Sequence, residues 1–352
     1  MPEKTGTRMA WLDVLKLMAV MFVYIGHRGT SVGRWYDFVW FFEVPLLFFC
    51  SGVVHKDTDS VWPFVRKKAC GLLVPYLFFL ALQFARIVLT ERPSANELLR
   101  FLIFGTLGFK QFPYVDFLWF LPALFSLSVV AWLMHRAIRN EPVRLLACLV
   151  ISCLSGLYLD SRVDLPLSAN RALTFLVYYE GGFFLHRVYR GRVRTAFRWG
   201  GWIFLAHALV VYRRGTALIT GLPFAPLSYV AGELEVFSLI LGMVYVAKAI
   251  QPCTILARAG RETLFLYGNE ALVKIVYDYI CVMLGLPGAV NGEWIALINT
   301  ALMIVLVLKW FIPLEKPVLQ GLTDRAGRLL TRCGDAAGEI GARMTRERRK
   351  DK

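Results

Sequence analysis

The sequence carries little charge and few of the signatures of a soluble enzyme. Asp, Glu, Lys and Arg make up only 18% of its 352 residues, whereas 57% of the residues are hydrophobic and the mean hydropathy is +0.54. A soluble globular protein is about one quarter charged and about one half apolar, and a disordered chain requires low hydrophobicity. The composition therefore argues against both classes.

Several motifs of binding and catalysis are also missing. The seven cysteines form no CxxC pair, and no cluster of His and Cys has zinc-ligand spacing. Neither the P-loop pattern nor GxGxxG occurs, so a nucleoside-triphosphate site has no support. We therefore predict no disulfide scaffold and no metal. The net charge of +15 lies between apolar runs and in the tail, which favours cytoplasmic loops over a nucleic-acid-binding surface.

Long apolar runs are abundant. A bilayer core of about 30 Å takes roughly 20 apolar residues per helix, and many runs in the chain approach that length. The sequence therefore predicts an all-α polytopic transmembrane bundle of about ten spans. A shorter apolar piece at 98–109 is expected to lie at the interface or to re-enter the bilayer. The predicted spans cover residues 9–27, 38–55, 72–90, 117–135, 144–160, 172–187, 199–214, 227–250, 262–284 and 293–314.

The distribution of Lys and Arg predicts the orientation. With the N-terminus inside, the cytoplasmic segments hold about three times as many of these cations as the outer loops. Both termini are therefore expected in the cytoplasm, in a multi-pass protein of the inner (cytoplasmic) membrane. Residues 1–314 form the predicted membrane-embedded domain and residues 315–352 a basic cytoplasmic tail. This tail is expected to be solvated, partly helical and close to anionic lipid, and docking of a partner is the alternative.

Ionisable side chains occur inside the predicted spans. Each costs about 2.5–3.5 kcal/mol on insertion scales, so such residues usually face a cavity or a partner. A structural protein has little reason to carry such a set, and we expect an internal polar chamber. The residues are Asp13, Lys16, Glu43, Arg86, Glu180, Glu235, Glu270, Lys274 and Asp278.

His27 ends the first predicted span, near the outer leaflet. The free side chain has a pKa of about 6.5 and suits a general base, whereas the alternative is an interfacial His with an ordinary hydrogen bond. Asp13 lies about 21 Å earlier along the helix axis, so it is expected to pair with Lys16 instead. The second span returns from the outside at Glu43, which makes this carboxylate the candidate partner of His27.

Several segments resemble those of one family. The segment RMAWLDVLKLMAVMFVYIGH (8–27) is similar to the first helix of the acyltransferase-3 family of integral membrane acyltransferases, in its fucose 4-O-acetylase-like branch. In that family the helix carries an Asp, a basic residue three positions later and a His at its far end, here Asp13, Lys16 and His27. The other resembling segments are WFFEVPLLFFCSG (40–52), FVRKKACGLLVPY (64–76), DFLWFLPALF (116–125), FLVYYEGGFFL (175–185) and GRETLFLYGNEALV (260–273).

The resemblance implies an O-acyltransferase. Such an enzyme moves an acyl group, usually acetyl, from a cytoplasmic thioester donor to a hydroxyl of a cell-surface sugar or glycan. The implied donor is acetyl-CoA or another acyl-CoA. His27 would act as the general base or carry the acyl group itself. The implied catalytic set is His27, Asp13, Lys16 and Glu43.

The donor and the acceptor need further residues. Inner-loop cations are expected to bind donor phosphates, and 187–198 is a second basic cluster; topology-setting charge is the alternative for both. The expected cofactor-binding residues are Arg66, Lys67 and Lys68, and the expected acceptor contacts are Trp119, Glu180, Tyr267 and Glu270.

Alternatives remain for some acceptor contacts, and two positions depart from the family pattern. Trp119 also fits an aromatic belt, and the Glu180-Gly181-Gly182 run also fits close helix packing. Glu43 stands two residues before a Pro, and Glu270 three residues after Tyr267, where many members have a His. Both changes exchange a donor-or-acceptor ring for a carboxylate.

A transporter or flippase of a lipid-linked sugar, without acyl transfer, is the alternative function. Many spans with interior charges fit it as well, but transporters often contain internal repeats. No second copy of LDVLK or WFFEVP follows residue 176. A degenerate family member that acts as a sensor is a third reading. Membrane lipids are expected partners, nucleic acid is not, and a homo-oligomer is left open.

Overall fold

The structure is a computed structural model that describes residues 8–56, 58–109, 117–189, 191–215, 225–286 and 292–350, with side chains up to residue 334. These residues contain helices and no strand. The all-α fold class is therefore confirmed. In chain order the helices are α1 (Ala10–Gly26), α2 (Arg34–Trp40), α3 (Glu43–Val53), α4 (Val61–Lys68), α5 (Val74–Thr90), α6 (Ala95–Thr106), α7 (Phe120–Ala137), α8 (Glu141–Leu154), α9 (Ala169–Thr174), α10 (Leu176–Val188), α11 (Arg192–Gly200), α12 (Trp202–Arg214), α13 (Ala225–Ile250), α14 (Thr254–Ala259), α15 (Thr263–Gly268), α16 (Glu270–Met283), α17 (Glu293–Leu306) and α18 (Ile312–Lys350).

Six helical segments of the described chain are long and apolar enough to cross a membrane. The count of about ten spans and the cytoplasmic location of both termini stay predictions. The other predicted spans correspond to shorter or interrupted helices, among them α1 with 17 residues and the pair α15 and α16, separated at Asn269. The six segments are Arg34–Val53, Val61–Thr90, Phe120–Ala137, Glu141–Leu159, Ala225–Ile250 and Glu293–Gly334.

The chain divides into two compact units. The first consists of Met1–His55, Met134–Val163 and Asn170–Ile312, and the second of Lys56–Leu133, Asp164–Ala169 and Pro313–Lys352. The predicted division into a domain at 1–314 and a tail at 315–352 stays a prediction.

Within the first unit, α3 and α10 pack closely through glycines. A Cβ on Gly52 would overlap the backbone oxygen of Tyr179, and a Cβ on Gly182 would overlap the backbone oxygen of Phe49. Only glycine lets the two backbones approach this closely. The close-packing interpretation of the Glu180-Gly181-Gly182 run is therefore confirmed.

Helix ends meet in the first unit and prepare the site. α1 ends at Gly26, and His27 is its C-cap residue. A break at Phe42 ends α2 and starts α3 at Glu43, and a break at Asn269 starts α16 at Glu270. The Tyr24 hydroxyl donates a 2.7 Å hydrogen bond to the Leu266 carbonyl, which ties α1 to α15.

Within the second unit, α18 runs antiparallel to α4. Gly334 lies against Trp62 near the start of α4, and the earlier Gly327 lies against Cys70 just after the end of α4. Between these contacts the Arg66 guanidinium donates to the Thr331 hydroxyl at 2.6 Å. The first part of the predicted tail is therefore a packed helix.

The predicted interfacial piece at 98–109 is covered largely by α6. Its N-terminus has a complete capping box, in which Ser94 Oγ accepts from the Glu97 amide and the Glu97 carboxylate accepts from the Ser94 amide. These hydrogen bonds lower the pKa of Glu97. The interfacial or re-entrant placement of this piece stays a prediction.

Candidate active site

His27 is paired with a carboxylate from another helix. Its Nδ1 lies 3.1 Å from Glu270 Oε2, and the side chains are 29% and 6% exposed, respectively. Among the described residues, Nε2 of the ring has no hydrogen-bond partner. The ring therefore has one nitrogen held by the protein and a second that a substrate can reach.

The predicted partner Glu43 is present at the site but does not make the direct contact. Its carboxylate lies against Gly26, where a Cβ would overlap Oε2, and it acts electrostatically on the His27 ring. Glu43 is only 3% exposed, yet its Oε2 has no hydrogen-bond partner among the described residues. The assignment of Glu43 as the direct partner of His27 is therefore wrong, because Glu270 occupies that place.

A charged stripe on α16 holds the end of α1. Glu270, Lys274 and Asp278 are four residues apart and so share one helix face. Lys274 Nζ donates to the His27 carbonyl at 2.6 Å, and Asp278 accepts from Arg28 at 2.7 Å. All three ionisable residues predicted inside the ninth span thus fix His27 or its neighbour.

The helix ends favour the charges found at the site. Glu43 and Glu270 are the first residues of α3 and α16, where the positive end of each helix dipole stabilises a carboxylate. His27 lies at the C-terminal end of α1, where the negative end favours an imidazolium. The helix ends therefore stabilise the protonated form of the His27 ring.

Asp13 lies away from His27, as the axial distance predicts, but its partner differs from the prediction. Its carboxylate accepts from Arg8 Nε at 2.6 Å and lies 3.8 Å from Arg261. The hydrogen bond to Asp13 raises the pKa of Arg8. Lys16 makes no ion pair within the described residues, so the predicted Asp13–Lys16 pair is wrong. Arg8 lies just before α1, and its guanidinium occupies the Asp13 carboxylate in place of Lys16.

Glu180 belongs to a separate buried cluster. One oxygen accepts from Arg144 Nε at 2.7 Å and the other lies 2.8 Å from His135 Nε2. The Phe183 ring packs against the His135 ring at an interplanar angle of 55° and lies 5.3 Å from the Arg144 guanidinium. Both oxygens of Glu180 are occupied by protein groups, and the structure does not bring this carboxylate to His27.

The remaining predicted contacts are distributed over both units. Tyr267 is buried in α15, one turn before Glu270 in the first unit. Trp119 and the basic cluster lie in the second unit. In that cluster Arg66 is bound to Thr331, as described above, and the Lys68 ammonium lies 5.7 Å from the centre of the Phe64 ring. Lys67 is exposed.

A cavity of about 600 Å³ lies beside the start of α1 in the first unit. The Lys248 ammonium sits there between two rings, 4.3 Å from the centre of Trp11 and 3.6 Å from that of Tyr189. Arg194 and Arg198 also line the cavity. This pocket combines cations with aromatic faces and includes part of the second basic cluster predicted at 187–198.

The family model of an acyltransferase domain, acyltransferase-3, matches residues 9–312. The chain belongs to the acyltransferase-3 family. No curated protein and no solved structure matches it. The carboxylates of Glu43 and Glu270 in this acyltransferase converge on His27 in the structure.

The sequence contained a signal for the Glu270 contact. The spacing of Glu270, Lys274 and Asp278 marks one face of a helix that needs polar partners, and the end of the first span offers them. The Lys248 site of this acyltransferase gave no such signal, because Trp11, Tyr189 and Lys248 are far apart in the chain.

Proposed function

We propose that this acyltransferase moves an acetyl or other acyl group from acyl-CoA to a hydroxyl of a cell-surface sugar or glycan. The observation that supports this most is the His27–Glu270 pair with an accessible Nε2. A hydroxyl is a weak nucleophile until a base takes its proton. An imidazole held at one nitrogen by a carboxylate is the arrangement that activates such a group.

The chemistry follows from the state of the ring. A hydrogen on Nδ1 faces Glu270, so Nε2 keeps its lone pair and accepts the proton of the acceptor hydroxyl. The hydroxyl oxygen then forms a bond to the thioester carbon, and the carbon–sulfur bond breaks. The proton on Nε2 passes to the departing thiolate. Glu270 stabilises the imidazolium in between, and Glu43 Oε2 accepts a hydrogen bond from the acceptor.

The Lys248 cavity is the proposed donor site. Its cations suit phosphates and its rings suit an adenine, whereas Arg66 is engaged with Thr331 in the second unit. Lys16 and His27 share one face of α1, because eleven residues at about 100° each end within about 20° of three full turns. Lys16 lies about 16 Å before His27 along the helix axis, and its ammonium would meet the arm of the donor.

The test uses cells that lack the gene and express wild type, His27→Ala or His207→Ala at matched membrane levels. His207 is hydrogen-bonded to Ser238 at 2.9 Å and lies outside the proposed site, so it is the matched control. Base-labile acyl esters on surface glycans are measured by mass spectrometry. We expect esters with wild type and His207→Ala but not with His27→Ala. Identical esters with and without the protein would refute the proposal.

A further inference from the structure

An apolar groove lies between α8, α10 and α13 in the first unit. Its volume is about 470 Å³, within the range of small-molecule sites. Along α13 the lining extends from Val230 to Leu241, a distance of about 16 Å. Leu149 and Val177 contribute from the other helices, and the lining residues that the structure describes include no Lys, Arg or His. The shape and chemistry suit a hydrocarbon chain.

Glu233 is the exception in this lining. It is 7% exposed, and its Oε2 has no hydrogen-bond partner among the described residues. The Tyr178 and Tyr229 hydroxyls lie within hydrogen-bonding reach of the carboxyl group, which leaves Oε2 as the oxygen without a partner. The hydroxyl of Tyr229, however, donates to the Ser152 carbonyl at 3.2 Å. One oxygen of Glu233 therefore lies buried at the groove without a donor.

A buried carboxyl oxygen without a donor is costly, and an ionisable residue in a membrane helix usually faces a cavity or a partner. A hydrocarbon tail alone supplies no donor, so filling the groove with lipid chains leaves Oε2 unsatisfied. An ionised fatty acid is disfavoured, because its carboxylate would face the Glu233 carboxylate without a cation in the described lining. The missing group is a hydrogen-bond donor attached to an apolar chain.

We propose that the groove binds a single-chain amphiphile whose head group donates a hydrogen bond to Glu233. A long-chain alcohol and a long-chain amine share this chemistry. The head group lies at Glu233, and the chain follows the apolar lining between α8, α10 and α13. This site is separate from the His27 residues and does not depend on acyl transfer.

The probes are hexadecanol, hexadecylamine and palmitate, added to the purified full-length protein in detergent and detected as adducts by native mass spectrometry. We expect an adduct with the alcohol, the amine or both, and none with palmitate. Binding of the alcohol shows that a neutral donor is sufficient, whereas binding of the amine alone shows that a cation is needed. Palmitate binding equal to that of the other probes would overturn the proposal, as would binding of no probe.

Variants of neighbouring acids provide the control. Glu235 is also buried on α13 and also has an unpartnered oxygen, but it does not line the groove. Glu233→Leu is expected to lose the adduct, and Glu235→Leu to keep it. Glu233→Gln, which preserves size and polarity, is expected to keep the alcohol and to bind the amine at least about tenfold more weakly, since the charge-assisted bond is lost. Equal adducts in Glu233→Gln, Glu233→Leu and wild type would contradict the assignment.

Discussion

His27 stands between two carboxylates that have different surroundings. Glu270 holds Nδ1, whereas Glu43 has an oxygen without a partner among the described residues. The first arrangement fixes which ring nitrogen carries the hydrogen, and the second leaves an acceptor for an incoming hydroxyl. At the scale of single residues the site therefore separates activation of the nucleophile from its orientation.

Glu270→Gln tests the activating carboxylate. The amide fills the same space but cannot stabilise an imidazolium, so we expect turnover to fall by about 10²- to 10⁴-fold while the protein level stays the same. The assay is acyl-ester formation in membranes at matched expression. Glu91→Gln, at an exposed ion pair with Arg86, is the control and should retain activity. Wild-type turnover in Glu270→Gln would exclude the proposed role.

Arg194→Ala combined with Arg198→Ala tests the donor cavity. Removing two cations weakens the binding of phosphates, and we expect the KM for acyl-CoA to rise by about tenfold or more. Arg192→Ala removes a cation from the same helix that does not line the cavity, and its KM should stay near that of wild type. A rise in KM with Arg66→Ala instead would move the donor to the second unit.

At the scale of secondary-structure elements, the breaks and ends of helices position the residues of the candidate site. The break at Phe42 places Glu43, the break at Asn269 places Glu270, and the end of α1 places His27. An uninterrupted helix would turn these polar side chains towards its sides, whereas a helix start presents a carboxylate together with the positive end of the dipole. The shortness of α1, α15 and α16 is thus part of the site.

Gly182→Ala tests the contact of α10 with α3. The added methyl group meets the backbone of Phe49, which cannot move like a side chain, so we expect destabilisation of about 1–3 kcal/mol. Thermal unfolding in detergent measures it. Gly200→Ala is the control, because nothing lies within 4 Å of the added Cβ and alanine favours the helix. Equal melting temperatures would contradict the packing described here.

Thr331→Val tests the packing of α18 on α4. The hydroxyl of Thr331 accepts from Arg66, whereas within the described chain the hydroxyl of Thr323 donates to its own helix at Leu319 and has no other partner. We expect a lower melting temperature for Thr331→Val than for Thr323→Val, because only the first leaves Arg66 without its acceptor. The difference should disappear in an Arg66→Ala background. Its persistence would show that Arg66 does not bind Thr331 in the folded protein.

At the scale of the whole molecule, the sequence predicts the fold class better than it predicts which residues pair. The all-α class follows from long apolar runs, and the importance of the first helix from its motif. The partner of His27 does not follow, since Glu43 is near in sequence and Glu270 is 243 positions away. Pairing over such a distance depends on how the helices pack, and the period of apolar residues does not encode it. Asp13 is a different case, because its partner Arg8 is only five residues away and lies before the start of α1.

The orientation of the entire chain is the prediction at the largest scale. Both termini are expected inside, because Lys and Arg concentrate on that side. A fluorescent protein fused after residue 352 should therefore mature in the cytoplasm, and alkaline phosphatase fused there should be inactive. Fusions after residue 214, which follows the seventh predicted span, should give the reverse result. Active phosphatase at the C-terminus would contradict the predicted orientation.

The order of charges on α16 has a further consequence. The charges along α16 alternate in sign. Glu270 contacts the His27 ring, Lys274 contacts the His27 carbonyl, and Asp278 contacts Arg28. A slide of α16 by one turn would set Lys274 against the ring and Asp278 against the carbonyl oxygen, two repulsive neighbours in place of two attractive ones. The charges on α16 therefore favour one register of this helix against the end of α1. Sliding of α16 against the end of α1 is therefore electrostatically unfavourable.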